Sequence, residues 1–360
     1  MQKDQLSDRY DVRGRGAASN PAVRFDATHR EVFDDGWDIA EDLPVLRTQV
    51  REEIAKSIIS TNRSPDLSFD RSINPYRGCE HGCIYCYARP SHAFLGLSPG
   101  LDFETLLTVK PNAAALLDAA LRKPAYRPET IAIGTNTDPY QPVEKTRRIM
   151  RAVLQVLSDF SHPTAIVTKG TLIARDIDIL APMAAKGLLR VGISVTTLDP
   201  AMSRKLEPRV PAPQARLRVI RQLSDAGIPV RVMVSPVIPA LTDHEVEDIL
   251  AAAKAAGAVA ASSIILRLPR EVAPLFRDWL AEHVPDRAAR VMNRVRELHG
   301  GKDYDADFGK RMTGQGVWAD LQRQRFRRAA KRLGLDRTLP PLRCDLFAAP
   351  ARAGDQLSLF

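Results

Sequence analysis

The chain has 360 residues, enough for one large α/β barrel with appendages or for two ordinary domains. Its hydrophobic fraction of 44% and charged fraction of 26% are close to globular averages, and no run reaches the roughly 18 to 20 apolar residues that a membrane span needs. We therefore expect no membrane partner. The net charge of +9 is compatible with a polyanion such as nucleic acid but does not indicate one by itself.

The first 60 residues are polar and show no sustained hydrophobic period. They contain Gly14, Gly16 and Pro21, and they predict a partly disordered N-terminal extension over residues 1–60. The opening MQKDQLSDRYDVRGRG carries charges where an export signal needs an apolar stretch, so we expect a cytoplasmic protein with reduced thiols.

Residues 61–300 alternate short β-branched runs with helical stretches, a pattern typical of repeated β/α units. The predicted strands are Ser68–Ile73, Ile131–Gly134, Ala165–Lys169, Arg190–Thr196, Val230–Val234 and Ser263–Leu268. The predicted helices lie near residues 111–122, 144–158, 173–186, 213–226, 243–256 and 272–282. Since a complete barrel has eight units, about six units predict an α/β fold built as a partial, TIM-like (β/α)6 barrel, with an open doubly wound sheet as the alternative.

The alternation stops beyond residue 300. Residues 301–347 predict a helical C-terminal appendage, with a basic helix around 317–333 that either contacts phosphates or forms a solvated charged face. Residues 348–360, which include Pro350 and Gly354, predict a flexible tail.

Three of the four cysteines, Cys79, Cys83 and Cys86, fall within eight positions directly after the first predicted strand. In a reducing compartment this spacing favours a metal or cluster site over a disulfide framework. Three such thiolates can bind three irons of a 4Fe-4S cubane and leave the fourth iron open. The alternatives are an electron-transfer cluster and a structural zinc ion, although zinc usually takes paired CxxC knuckles and only one such pair is present. The candidates for a fourth zinc ligand are His81, His92 and Cys344.

The segment from residue 74 to 89 reads NPYRGCEHGCIYCYAR. Its CxxxCxxC spacing, with Tyr85 before the last cysteine, resembles the motif of the radical S-adenosylmethionine (SAM) superfamily, in which that aromatic residue lies beside the adenine. The resemblance implies that Cys79, Cys83 and Cys86 hold a catalytic 4Fe-4S cluster. It further implies that the cluster receives an electron from a donor such as flavodoxin or ferredoxin. The cluster then reduces SAM, which releases a 5′-deoxyadenosyl radical.

From about residue 66 to 260 the sequence also resembles the spore photoproduct lyase-like branch of that superfamily. The resemblance is carried by GTNTDPYQ after the second predicted strand, VTKG at the third, GISVT at the fourth and SPVIPALTD at the fifth. In this branch the residues that match Lys169 and Ser194 bind the carboxylate end of SAM. Thr137 is placed where the methionyl amino group is held, although the common Gly-Gly-Glu is absent, and Ser235 begins a segment that could shape the adenine pocket. Taken alone, Lys169 could be a surface lysine and Ser194 a strand-end cap.

Spore photoproduct lyase itself needs a cysteine near the end of the second strand to return a hydrogen atom to the thymine dimer intermediate. Here that stretch reads Gly134-Thr-Asn-Thr137, so repair of that particular lesion stays open. The candidates for another hydrogen donor are Cys344, Tyr87 and Tyr140. The tripeptide Glu207-Pro-Arg209 also resembles this branch and could aim an arginine at SAM or at an anionic substrate.

The last five residues, Gln356 to Phe360, read QLSLF. They resemble the peptide by which bacterial DNA polymerases and repair proteins dock on the sliding clamp, and the alternative is a tail that packs on its own domain. The sequence therefore predicts a radical SAM enzyme that acts on nucleic acid, with DNA repair of the photoproduct lyase type as the leading reaction. Two alternatives remain: radical SAM chemistry on RNA, a protein or a small molecule, and a metal-bearing adaptor for DNA assemblies.

Overall fold

The computed structural model describes residues 11–25 and 45–352. The strands are β1 (Gln49–Glu52), β2 (Ile59–Thr61), β3 (Arg71–Ile73), β4 (Tyr76–Arg77), β5 (Leu106–Val109), β6 (Ile131–Ile133), β7 (Thr164–Thr168), β8 (Leu189–Ser194), β9 (Val230–Val237) and β10 (Ala260–Ile265). The helices are α1 (Asp102–Thr105), α2 (Ala113–Leu121), α3 (Glu144–Arg147), α4 (Ile149–Asp159), α5 (Ile177–Ala185), α6 (Pro200–Leu206), α7 (Pro213–Asp225), α8 (Val246–Ala255), α9 (Val272–His283), α10 (Pro285–Leu298) and α11 (Val317–Leu333).

Within the described residues, the main sheet has seven strands in the order β10-β9-β8-β7-β6-β3-β2. The six strands from β3 to β10 in this order are parallel, and β2 pairs antiparallel with β3 at the edge. The parallel strands follow one another in chain order without a reversal, whereas a doubly wound sheet reverses its order at a switch point. The predicted partial (β/α)6 barrel is therefore confirmed, and the doubly wound alternative is wrong.

The helix layer packs on one face of this sheet. On β9, Val230, Val232 and Val234 belong to the core beneath the helices, so the residues between them project to the opposite, concave face. On α4, the apolar residues recur at helical spacing and are all buried: Ile149, Met150, Val153, Leu154 and Leu157. The predicted helix over 144–158 is in fact two helices, because Arg148 has a φ of 51° and interrupts it.

A second, three-stranded sheet has the order β1-β5-β4. Since β1 pairs with β5 and β2 pairs with β3, described residues before position 61 contribute a strand to each sheet. The remainder of the predicted N-terminal extension, residues 1–10 and 26–44, lies outside the described residues.

The C-terminal region is helical, as predicted. Helix α11 packs on α8, where Arg325 forms an ion pair with Glu247 at 2.7 Å. Residues 335–350, which we call the C-terminal belt, then run along the amino ends of the parallel strands. The backbone hydrogen bonds of the belt include those from Ala261 N–H to the Leu335 carbonyl, from Arg343 N–H to the Gly187 carbonyl and from Ala348 N–H to the Phe160 carbonyl. Among the described residues, none of the helices combines the length and the apolar character that crossing a bilayer requires.

Candidate active site

The three clustered cysteines lie on the loop that follows β3 and β4, at the carboxyl edge of the main sheet. Cys79 and Cys83 are buried, and Cys86 is half-buried. Two consecutive turns shape the loop, because Gly82 N–H donates to the Cys79 carbonyl at 3.3 Å and Cys86 N–H donates to the Cys83 carbonyl at 3.1 Å. Gly82 has a φ of +65°, which glycine adopts without the steric cost that a side chain brings. The loop therefore presents all three thiols from a short, tightly turned segment.

A fully buried ion pair supports this loop from below. Arg89, three positions after Cys86, donates to the backbone carbonyls of Cys83, Gly82, Pro99 and Gly100 at 2.9 to 3.2 Å. The same guanidinium pairs with Glu104 at 2.5 Å, and both side chains have no exposed surface. A buried arginine bound to this many carbonyls fixes the backbone on which the thiols sit.

Residues 15–21, which we call the N-terminal strap, cross over the cysteine loop. The N–H groups of Gly16 and Ala17 each donate to Glu104 at 2.9 Å. A Cβ on Gly16 would lie 1.8 Å from the Gly82 carbonyl oxygen, so only glycine permits this approach. This contact could not be predicted, since Gly16 and Gly82 are far apart along the chain and no periodic pattern surrounds Gly16.

The segment after β6 also grips the cysteine loop. Gln141 accepts from Glu80 N–H at 2.9 Å and donates to the Gly78 carbonyl at 3.2 Å. Asp138 lies 3.4 Å from the His81 Nδ1 and accepts from Lys169 N–H at 2.7 Å. The predicted SAM contact Thr137 is buried, with its hydroxyl donating to the Tyr76 carbonyl at 3.2 Å. In this arrangement the Thr137 side chain binds the backbone of β4, just before the cysteine loop.

Glu207 is the centre of a buried polar network at the ends of β7 and β8. Its carboxylate lies 3.1 Å from Lys169 Nζ and 2.6 Å from Arg216, and it accepts from Thr196 at 2.9 Å. The Tyr85 hydroxyl also donates to it. The structure therefore brings two predicted SAM contacts, Tyr85 and Lys169, onto one carboxylate.

The other predicted contacts border this network. Ser194 ends β8, and its carbonyl accepts from Arg216 at 3.0 Å. Ser235 offers its carbonyl to Lys169 Nζ at 3.2 Å, while its buried hydroxyl has no hydrogen-bond partner among the residues that the structure describes. An unpartnered buried hydroxyl at this position is a free donor for a bound molecule.

The charge state of the network follows from its composition. Burial opposes ionisation of Glu207, but the charges of Arg216 and Lys169 and the hydrogen bonds from Tyr85 and Thr196 outweigh it, so its pKa is held well below the usual range. Glu207 is therefore an anion that balances the two cations. Sequence reasoning had singled out Arg209 beside it, but Arg209 turns outward and pairs with Glu80 at 3.3 Å.

The family is decided by comparison with known proteins. The sequence profile of the Radical SAM superfamily matches residues 73–253, about half of the chain. The chain belongs to the radical SAM superfamily. An uncharacterized protein of Mycobacterium tuberculosis is 40% identical over 253 residues, which are 69% of this chain and 73% of the relative. An uncharacterized protein of Methanocaldococcus jannaschii is 27% identical over 191 residues, which are 53% and 68% of the two chains.

Among solved structures, this radical SAM enzyme shares its fold with spore photoproduct lyase. The lyase complexed with dinucleoside spore photoproduct has a TM-score of 0.59 and 14% identity over 79% of each chain. A variant of the lyase with bound SAM and dinucleoside spore photoproduct has a TM-score of 0.56, also at 14% identity over 79% of each chain. At 14% identity, this similarity shows that the two proteins share an architecture and nothing more.

Membership of the radical SAM superfamily implies an iron-sulfur cluster and SAM. The residues of this site fit such a cluster. Burial raises the pKa of all three thiols, so ionising them in the bare loop is costly, and a cationic metal group would offset that cost. In the described part of the chain, no three side chains among His, Cys, Asp and Glu are placed to share one metal ion.

The candidate fourth zinc ligands are engaged or distant. His81 faces Asp138, and His92 Nε2 lies 3.1 Å from the Leu106 carbonyl. Cys344 lies in the C-terminal belt, next to Arg343, whose N–H bonds to Gly187 just before β8. That is the amino edge of the sheet, opposite the cysteine loop, so Cys344 neither completes a metal site there nor reaches it as a hydrogen donor.

The two tyrosines named as hydrogen donors lie in different surroundings. Tyr140 is buried, and its hydroxyl donates to Asp176 at 3.2 Å. Tyr87 follows Cys86 directly, is 46% exposed and donates to the Thr135 carbonyl. The guanidinium of Arg267, which follows β10, lies 4.3 Å from the centre of the Tyr87 ring. Of the two, Tyr87 is the one that a molecule at the mouth of the barrel could touch.

Proposed function

We propose that this radical SAM enzyme holds a 4Fe-4S cluster on Cys79, Cys83 and Cys86, binds SAM beside it and acts on nucleic acid. The leading reaction is DNA repair of the photoproduct lyase type. One observation carries the proposal: the three buried thiols lie on a braced loop at the carboxyl edge of a partial barrel, next to the Lys169–Glu207 network. When bound, the cluster supplies one electron to the SAM sulfonium, and that reduction yields the radical that attacks the substrate.

The residues around the loop have distinct tasks in this proposal. Lys169 Nζ and the Ser194 hydroxyl bind the carboxylate of SAM, and Glu207 holds Lys169 in place through the 3.1 Å ion pair. The Tyr85 ring lies against the adenine, fixed by its hydroxyl bond to Glu207. Arg89, Glu104 and the N-terminal strap keep the loop closed over the cluster and exclude water from it. Reduced flavodoxin or ferredoxin supplies the electron.

The choice of nucleic acid is supported by three features. The architecture is that of a lyase whose structure contains a dinucleoside spore photoproduct. The chain carries a net charge of +9. Helix α11 also exposes four cations on one stretch, Arg327, Arg328, Lys331 and Arg332. Cations spaced along a helix bind phosphates through counterion release, which predicts weaker binding as salt rises.

The cluster is tested by metal analysis of the anaerobically reconstituted full chain. We expect about four irons per chain, as for one cubane, and loss of that iron when Cys79, Cys83 and Cys86 are all replaced by alanine. Cys344→Ala is the matched control and should keep the iron, because Cys344 lies at the opposite edge of the sheet. Iron retained by the triple variant, or one equivalent of zinc in place of iron, contradicts the proposal and favours a metal-bearing adaptor.

The substrate class is tested by crosslinking the anaerobic protein to its cellular nucleic acid and identifying what is bound. Recovery of DNA supports repair chemistry. Recovery of RNA, or of no nucleic acid at all, overturns the DNA assignment and favours RNA, a protein or a small molecule as the target of the same radical chemistry.

We also propose that Gln356 to Phe360, which lie outside the described residues, bind the bacterial sliding clamp. The proposal rests on the QLSLF sequence, whose three apolar side chains would fill a groove while the Gln356 amide bonds its rim. Docking on the clamp would raise the concentration of the enzyme at DNA without changing its chemistry.

A further inference from the structure

A basic surface lies on the outer side of the cysteine loop, away from the Glu207 network. Glu207 lies 3.1 Å from Lys169 on the side of the loop that holds the predicted SAM contacts. Two residues later, Arg209 turns outward, and its side chain is 38% exposed. Its N–H donates to the His81 carbonyl at 3.3 Å, so this short segment passes from the SAM side of the loop to the outer side.

Three segments of the chain meet over Glu80, the residue that follows Cys79. The Thr48 hydroxyl donates to the Glu80 carboxylate at 2.7 Å, and the Arg209 guanidinium lies 3.3 Å from the same carboxylate. Arg15 of the N-terminal strap donates to the Thr48 hydroxyl at 3.1 Å. The surface is therefore anchored on the cysteine loop itself.

Two further arginines extend this surface. Arg47, which directly precedes Thr48, is exposed and has no ion-pair partner among the described residues. Arg204 is also exposed, and it donates to the carbonyl of Pro208, the residue before Arg209, at 2.6 Å. We call the four cations the outer basic surface: Arg15, Arg47, Arg204 and Arg209.

The positive charge of this surface is only partly compensated. Glu80 pairs with Arg209, but Glu80 is only 8% exposed, whereas Arg47 faces solvent. Burial and, next, the charge of Arg209 lower the pKa of Arg15, and the charges of Glu104 and Glu80 oppose this lowering without cancelling it. The outer basic surface therefore presents a net positive charge and favours an acidic partner.

The outer basic surface is close to the three thiols. Arg209 bonds to the His81 carbonyl, and His81 is two residues from Cys79 and two from Cys83. Because consecutive Cα atoms are about 3.8 Å apart, the Cα of His81 lies within about 7.6 Å of the Cα of each cysteine. Electron transfer slows steeply with distance, so a protein seated on this surface is well placed to pass an electron to a cluster on the loop.

The same surface suits a nucleic-acid substrate less well. Tyr85 donates to Glu207 and Lys169 pairs with it, so the predicted SAM contacts lie on the other side of the loop. The substrate must reach that side, since the radical forms next to SAM. A reductant has no such requirement, because it needs only to approach the cluster.

We propose that the outer basic surface docks an acidic electron-transfer protein that reduces the cluster. The inference rests on the proposed function, in which Cys79, Cys83 and Cys86 hold that cluster. With a flavodoxin as donor, the anionic flavin hydroquinone loses one electron and becomes the neutral semiquinone. The 4Fe-4S cluster gains that electron and passes from the 2+ to the 1+ state, and no proton is transferred. Opposite charges steer the two proteins together, and the mouth of the barrel stays free for the substrate.

The test compares two reductants of the anaerobically reconstituted full-length protein by stopped-flow absorbance at low ionic strength. One is flavodoxin hydroquinone, an acidic protein, and the other is photoreduced deazariboflavin, a small uncharged reductant. Flavodoxin should reduce the Arg47→Glu/Arg204→Glu double variant at least about tenfold more slowly than wild type, the lower end of the range for electrostatic steering. Deazariboflavin should reduce both at the same rate. The wild-type rate with flavodoxin should also fall as salt is added.

Two single variants sharpen the comparison. Arg209→Gln should slow the reaction with flavodoxin by a smaller factor, and it places no second anion beside Glu80. Arg218→Glu, on the exposed side of α7, is the control and should keep the wild-type rate with both reductants.

An unchanged rate with flavodoxin in the folded, iron-loaded double variant overturns the proposal. So does a double variant that binds a labelled oligonucleotide more weakly but keeps its rate with flavodoxin, because the surface then belongs to the substrate. Failure of flavodoxin to reduce a wild-type cluster that deazariboflavin reduces is the third contrary result.

These outcomes are separate from those of the proposed function. A chain that holds iron and cleaves SAM with deazariboflavin, but is indifferent to the charge of the outer basic surface, loses the docking surface alone. A chain that binds no iron, or leaves SAM intact with deazariboflavin, loses the proposed function itself.

Discussion

At the scale of single residues, Glu207 is the anion that neutralises the two cations of the candidate active site. It is fully buried and neutralises both Arg216 and Lys169. Without it, Arg216 would be a buried cation with no counter-charge, which is among the more costly states a side chain can adopt. Arg216 also donates to the Ser194 carbonyl, so loss of this balance would disturb the end of β8.

Glu207→Gln keeps the shape of the side chain and removes its charge. We expect the free energy of unfolding to fall by about 3 to 5 kcal/mol, the range for breaking a buried pair, as measured by urea denaturation. Glu247→Gln is the matched control, because its partner Arg325 is partly exposed and such pairs contribute about 0 to 1 kcal/mol. Equal losses in the two variants would contradict the assignment of Glu207 as the central counter-charge.

Lys169→Ala tests the carboxylate end of the SAM site. SAM affinity should weaken by about 1.5 to 3 kcal/mol, the range for hydrogen bonds to a charged group, while the iron content stays unchanged. Calorimetry on anaerobic protein measures the affinity, and Lys186→Ala, an exposed lysine before β8, is the control. Unchanged SAM affinity would remove Lys169 from the site.

His162 makes the stability of the fold depend on pH. It is fully buried beneath the C-terminal belt, with its Nε2 2.7 Å from the Tyr126 hydroxyl, and burial lowers its pKa to about 4. Because the folded state favours the neutral ring, stability is complete above about pH 6.5 and is lost as the pH falls toward 4.

Protonation of His162 should therefore lower the free energy of unfolding by about 2 kcal/mol when the pH falls from about 7 to about 5. Urea denaturation at the two pH values should show that His162→Gln removes most of this drop. The exposed His244→Gln variant should retain it. A pH dependence that is the same in both variants would be the contrary result.

Site residues that lie close together in the sequence could be predicted from it, whereas site residues that only folding brings together could not. Cys79, Cys83, Cys86 and Tyr85 lie together in one short motif, and the resemblance to the spore photoproduct lyase-like branch points to Lys169 and Ser194 at the ends of two predicted strands. Arg216 was predicted only as a member of a helix, because its ion pair with Glu207 forms only when the chain folds.

At the scale of elements, the N-terminal strap acts as a cover for the cysteine loop. Its backbone donates to Glu104, whose carboxylate also pairs with Arg89 beneath the loop. The strap therefore connects to the backbone around Cys83 through two buried side chains. Loosening it should expose the cluster site to solvent.

Gly16→Ala tests the strap directly. The new methyl group would lie 1.8 Å from the Gly82 carbonyl, so the strap must move away and its bonds to Glu104 must break. We expect the reconstituted cluster to be lost faster in air than in the wild-type protein. The decrease in its visible absorption measures this loss. Gly14→Ala is the control: it has a φ of +77° but nothing within 4 Å, so it should cost only about 1 kcal/mol of backbone strain. Equal lability of the two variants would show that the strap does not protect the loop.

The elements of the barrel were predicted better than its appendages. Six parallel strands and most of the helices lie where their hydrophobic patterns placed them, because each unit buries one face against the next. The sheet of β1, β4 and β5 was not predicted, since β4 is two residues long and β1 carries mostly exposed residues. The break at Arg148 was missed because no glycine or proline marks it.

At the scale of the whole molecule, we propose that the barrel carries the chemistry and that the last five residues, Gln356 to Phe360, localise it. Deleting Gln356 to Phe360 should abolish binding to the sliding clamp and leave SAM cleavage unchanged, because the peptide is far along the chain from the cysteine loop. The peptide is short, so calorimetry should give a dissociation constant in the micromolar range or weaker, about −8 kcal/mol at best. No clamp binding by the full-length protein at tens of micromolar would remove this partner and the best support for DNA.

The central claim is that this fold generates a radical from SAM at the three-cysteine loop. It is tested most directly by reducing the anaerobic, reconstituted protein with dithionite in the presence of SAM and measuring 5′-deoxyadenosine by chromatography. We expect wild-type protein and Cys344→Ala to produce it, and Cys79→Ala, Cys83→Ala and Cys86→Ala to produce none, since each removes one corner of the cluster. Production of 5′-deoxyadenosine by any of the three loop variants at the wild-type rate, or none by an iron-loaded wild-type protein, would contradict the claim.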